Sequence, residues 1–154
     1  MRTALHVLGR TLFGGFFLYN GLNHFQNTEQ MAGYAASKGT AAPRAAVLGS
    51  GAMLVAAGAS LLAGIKPRQG LALAVGFLIP VSLQMHRFWD ETDPSRRQTE
   101  MINFMKNIAL VGAALTMVEL PEKWPASVES AMRFEGGDWR GPQLPRVALR
   151  ALGA

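Results

Sequence analysis

Three long intervals of this chain carry no charged residue: between Arg10 and Glu29, between Arg44 and Lys66, and between Arg68 and Arg87. With its flanks, each is long enough for a helix that crosses a bilayer, whose hydrocarbon core of roughly 30 Å takes about 20 apolar residues. A fourth apolar segment, residues 101–120, fits less easily. Its charge-free centre, residues 107–118, is twelve residues long and rises only about 18 Å. If this segment spans, Lys106 and Asn107 lie inside the span. An isolated mid-helix lysine costs about 2.5–3.5 kcal/mol on insertion scales, so it needs a partner, water or a short path to the surface. Two arrangements satisfy it. Lys106 snorkels to the headgroups, or it faces the helix bundle and meets polar groups on other helices.

Composition alone does not set the class, because a mean hydropathy of +0.15 suits a soluble protein. The distribution does. Four apolar segments occupy most of residues 4–120, and 154 residues suggest one domain. The formal charge is +5, yet the basic residues flank apolar runs instead of gathering on one face. That argues for a lipid bilayer as the partner and against nucleic acid. The chain has no cysteine, which excludes disulfides, thiol redox catalysis and cysteine-held metal. His6 and Arg10 interrupt the first apolar run, and no small-x-small cleavage site follows, so it is expected to remain as a first helix.

The expected fold is all-α: a four-helix transmembrane bundle running up-down-up-down, with a short interfacial helix in the first loop. Helix one covers residues 4–25, and Arg10 can snorkel from it. In the loop, Thr28 is a candidate cap for a helix that Gly39 stops. Pro43 suits the first turn of helix two, residues 43–65. There Ala52, Ala56, Ser60 and Gly64 recur every four positions, a small-residue face suited to packing or to a homo-oligomer. Helix three covers residues 69–89, with Pro80 expected to kink it. At its end His86 pairs in spacing with Asp90, and Arg87 with Glu91. Asp93 and Pro94 read as cap and first residue of helix four, residues 94–120. Residues 121–154 form a Gly/Pro-rich basic tail whose last ten residues suit a short helix. Arg2, Arg10, Lys66, Arg68 and five basic residues of the tail fall on one side, which predicts cytoplasmic termini; Arg96 and Arg97 oppose that bias.

Such a bundle brings three polar sets to one membrane face. Asn20, Asn23 and His24 share one face of helix one. Gln84 and His86 close helix three, and Asn103, Lys106 and Asn107 open helix four. These eight are the candidate ligand-binding residues, in a pocket beneath the first loop on the non-cytoplasmic side. Membrane Asn and Gln often only join helices, through bonds of about 0.6 kcal/mol. Gathering so many in one place is costlier to explain that way.

The stretches GLNHF at 21–25, MHRFW at 85–89 and FMKNIALVGAAL at 104–115 resemble the DoxX family of small four-helix membrane proteins. The likeness runs over roughly residues 5–120 and leaves out the tail. It implies a compact bundle in the bacterial cytoplasmic (inner) membrane. Some members are tied to quinone-linked oxidation of sulfur compounds, and others to oxidative-stress oxidoreductase complexes. Three functions therefore compete. A redox-associated subunit would bind a quinone or similar amphipathic carrier through His24, Lys106 and the asparagines. A structural subunit would assemble with an oxidoreductase partner protein and do no chemistry. Haem or metal held by His24 and His86 would need more ligands than the chain offers, since Asp90 is the one evident addition.

Overall fold

The computed structural model describes residues 2–120 together with Trp124, Ser127 and Val128. The expected helix at the end of the tail lies outside them. Five α-helices make up the described chain: α1 (Arg2–Gln26), α2 (Thr28–Ser37), α3 (Pro43–Ala63), α4 (Pro67–Met85) and α5 (Pro94–Val118), with a single 3-10 turn at Phe88–Asp90. Among the described residues there is no strand. Three elements are long and apolar enough to cross a membrane: Pro43–Ala63, Pro67–Asp90 and Pro94–Val118. The 25 residues of α1 have the length, but their polar side chains dilute its apolar character.

Local chemistry explains most boundaries. Pro43, Pro67 and Pro94 each open a helix, where the missing N–H costs nothing. Asp93 caps α5 by accepting the Arg96 N–H at 2.8 Å. Gly39 leaves α2 with a φ of 79°, and Gly64 leaves α3 with a φ of 66°, both in the left-handed region glycine tolerates. Thr28 is not a cap: it is the first residue of α2, and its hydroxyl donates back to the His24 carbonyl at 2.7 Å. That bond ties α2 to the end of α1.

Helix α4 ends four residues earlier than its sequence suggests, at Met85 instead of residue 89. The reason is tertiary. Phe88 and Trp89 stack edge-on against Phe104 of α5, with ring centroids 5.6 and 5.8 Å away. Pairs four apart need an unbroken helix, so the expected links His86–Asp90 and Arg87–Glu91 do not form. His86 pairs with Glu100 instead, Arg87 with Asp90, and Glu91 with Lys38.

Helix packing runs in chain order. α1 lies most extensively along α3, α3 on α4, and α4 on α5, while α2 rests mainly on α3. The core of Phe17, Leu54, Ala57, Leu61, Leu71, Ala74, Leu78 and Ala114 is completed by Trp124 from beyond α5. Trp124 also meets the His6 ring edge-on at 4.9 Å. Arg10 does not snorkel outward. It is buried, and a Cβ on Gly64 would sit 2.7 Å from its Nη1, so the guanidinium lies at the carbonyl end of α3. Leu5, Leu8, Leu12, Leu22, Ile79, Leu83, Ile102, Met105, Ile108 and Leu115 all face outward. Apolar helices with apolar outer faces make this an integral, multi-pass membrane protein.

Of the expected ladder, Ala52 and Ala56 are exposed, whereas Ser60 meets α4, where a Cβ on Gly70 would lie 2.7 Å from its Oγ, and Gly64 is buried against Arg10. Backbones meet instead at glycines seven apart. A Cβ on Gly58 would lie 2.7 Å from the Gly14 carbonyl oxygen, and one on Gly21 would lie 2.9 Å from that of Gly51. Around a Cβ on Gly112 nothing lies within 4 Å. Gly58→Ala is therefore expected to force α1 and α3 apart and cost about 1–3 kcal/mol. Gly112→Ala is expected to be neutral or slightly stabilising. Unfolding of the two purified variants in detergent, against the wild type, checks the contrast; equal stabilities would remove these glycines from the interface.

Candidate functional site

The end of the molecule that carries α2 contains a cleft of about 420 Å³ between α3 and α4, roofed by α2. Met31, Ala35, Val47, Met53, Phe77 and Val81 give it apolar walls. Six polar side chains line it as well: His24, Tyr34, Thr40, Ser50, Gln84 and His86. A mostly apolar hollow of this size with a few fixed polar groups is the usual form of a small-ligand site.

Each imidazole is held by one nitrogen. His24 Nδ1 lies 2.7 Å from the Asn20 carbonyl oxygen one turn earlier, and its ring meets Phe77 edge-on at 5.9 Å. His86 Nδ1 lies 2.7 Å from Glu100 Oε2. Carbonyl and carboxylate oxygens only accept, so Nδ1 is the protonated nitrogen in both rings.

Glu100 is the hub of a cluster at the rim. Its other oxygen accepts the Tyr34 hydroxyl at 3.0 Å and lies 3.4 Å from Lys38 Nζ. Lys38 in turn bonds Glu91 at 2.8 Å. Tyr34 also reaches the Met85 carbonyl at 3.4 Å. These contacts clamp the C-terminal half of α2 onto the α4–α5 connection. The Glu91 hydrogen bond holds the Lys38 ammonium above the usual lysine range, against a smaller opposing effect of burial, with the Glu100 carboxylate adding to it. Burial pushes the Tyr34 phenol up, and its bond to Glu100 pushes the same way. A charged lysine and a neutral tyrosine therefore face Glu100 over the ordinary pH range. The Arg44–Glu29 pair, at 2.8 Å, is exposed and adds little.

The eight residues singled out in the sequence fall into separate places. His24, Gln84 and His86 line the cleft. Asn20 reaches it only through the carbonyl that holds His24; its side chain bonds the Phe16 carbonyl. Asn23 accepts from Asn27 at 2.6 Å and lines a shallow hollow with Gln30 on another side of α2. Asn103 accepts from Lys106 Nζ at 3.1 Å. Lys106 is exposed and directed one turn back toward the α4–α5 connection, the posture of a snorkelling side chain. Its bond is to Asn103 and not to His24. Asn107 is buried but is not among the residues of the cleft. No group of three or more His, Asp or Glu suited to a metal ion occurs among the described residues.

Sequence reasoning missed Glu100, Tyr34, Lys38 and Glu91. Glu100 precedes the apolar part of its helix, where a single carboxylate carries no local signal. Tyr34 and Lys38 lie 66 and 53 residues from their partners Glu100 and Glu91, so no local pattern joins them.

The family model named DoxX matches residues 5–87. That segment covers more than half of the chain, from α1 to the residue after His86, and holds every residue that lines the cleft. It stops before Glu100, Asn103, Lys106 and Asn107. No curated protein and no solved structure matches the chain. The match, the run of apolar helices and the His-Phe pair that ends α1 agree: the chain belongs to the DoxX family.

Proposed function

We propose that this protein is a redox-associated subunit of the bacterial cytoplasmic membrane whose cleft binds a quinone or a similar amphipathic carrier. One observation carries the reading: an apolar cleft of carrier-ring size has an imidazole on two of its walls, each fixed in orientation by its other nitrogen. Apolar walls accept the ring and tail, and the imidazoles meet ring oxygens. In this reading α1 spans as a fourth helix, both termini are cytoplasmic, and the cleft opens on the far side beneath α2. Lys106 serves as an interfacial anchor outside the site.

A second reading is an assembly subunit for a membrane oxidoreductase, with no chemistry of its own. It is favoured by the outward-facing Ala52 and Ala56, small residues that no helix of the described chain covers. Stoichiometric co-purification of an oxidoreductase, with no carrier retained, would select it.

Two measurements test the first reading. Purified protein should bind a short-chain quinone or its quinol. His24→Leu should weaken that binding about tenfold, as loss of one buried hydrogen bond implies, while Lys106→Met should bind as the wild type does. Equal binding by His24→Leu and the wild type would empty the cleft of its role. For orientation, single cysteines replacing Ser37 and Thr92 should react with an impermeant thiol reagent added outside cells, and one replacing Gln69 should not. Labelling at Gln69 alone would invert the topology.

A further inference from the structure

The cleft is polarised: four of its six polar side chains, His24, Tyr34, Ser50 and His86, present hydrogen-bond acceptors. His24 and His86 both spend their Nδ1 proton inside the protein, on the Asn20 carbonyl and on Glu100. In each neutral ring the remaining nitrogen, Nε2, is a bare acceptor. The Tyr34 hydrogen is taken by Glu100 and the Met85 carbonyl, leaving its oxygen as an acceptor. The Ser50 hydrogen is taken by the Val47 carbonyl at 3.0 Å, with the same result. Pro80, in the cleft wall, has no N–H to give the Gly76 carbonyl one turn earlier, and Gly76 lines the cleft too. Remaining donors are the Thr40 hydroxyl and the second amide hydrogen of Gln84, whose first binds Thr40 at 3.1 Å. Gln84 is exposed and Thr40 half-buried.

We infer that the cleft selects a ligand by its hydroxyl hydrogens: an aromatic ring bearing hydroxyl donors, the reduced form of a carrier and not its carbonyl form. This rests on the reading of the cleft as a carrier site and names the redox state it takes. A hydroquinone offers two O–H donors to two imidazole acceptors. A quinone offers carbonyl oxygens, which only accept, and would leave Nε2 of both rings facing another acceptor. A buried acceptor left unmatched loses the bond and the solvation it had in water. Glu100 is then a positioning residue. It holds His86 in the tautomer that makes Nε2 an acceptor, and its bond to Tyr34 turns that oxygen the same way.

The test measures anaerobic binding of duroquinone and of its reduced form, durohydroquinone, to the full-length protein in detergent at neutral pH. The reduced form should bind at least about tenfold more tightly, the factor that one matched hydrogen bond supplies. His86→Gln, whose amide offers both donor and acceptor, should narrow the difference. Nitrogen NMR of the wild-type imidazoles, without ligand, should show the Nδ1-protonated tautomer at His24 and His86. Equal or reversed affinities, or the Nε2-protonated tautomer, would overturn the inference and leave carrier binding standing. Binding of neither form would overturn both.

Discussion

Helices in lipid gain little by hiding apolar surface from one another, because the solvent they leave is as apolar as they are. What holds them is close contact, and here the closest contact is between the backbones of α1 and α3 at Gly14, Gly21, Gly51 and Gly58. The rest of the site depends on that crossing. His24 lies three residues after Gly21, and its Cβ packs where a side chain on Gly51 would stand. The same contact that joins the two helices therefore sets the depth at which the first imidazole enters the cleft.

A second fixed point lies at the rim. Glu100 receives bonds from His86 and Tyr34 and faces Lys38, so one carboxylate joins α2, the end of α4 and the start of α5. These groups are only partly exposed, which strengthens their attraction relative to that of pairs in open water. α2 is ten residues long and too short to hold its place by its own helical bonds. Its position over the cleft comes from this carboxylate, from the Thr28 hydroxyl at its start and from its packing on α3.

Features set by neighbours along the chain are legible in the sequence. Charge-free intervals mark the apolar helices, Pro43 and Pro94 their starts, Gly39 the end of α2, and Asp93 the cap of α5. Features set across the fold are not legible in that way. The early end of α4 depends on Phe104, far along the chain from Trp89. Lys106 can be read inward or outward from its spacing alone, and the fold turns it toward the surface beside Asn103. The glycines of the α1–α3 contact repeat every seven residues, so a search for small residues every four finds instead the outward Ala52 and Ala56 and the Ser60 that meets α4. Of the candidate site, the residues at helix ends, His24, Gln84 and His86, are readable as polar groups in costly places. Glu100, which holds His86 and Tyr34, carries no such signal.

Trp124 gives the two ends of the molecule different characters. It returns from beyond α5, completes the core and sets its ring against His6, near the buried Arg10. Among the described residues, that end carries a large aromatic side chain in the core, whereas the α2 end is covered by a short helix and a cluster of ion pairs. In the proposed reading of the cleft as a carrier site, the carrier exchanges on the α2 side of the membrane. In that reading sidedness needs no moving part, because it follows from the way the bundle is inserted.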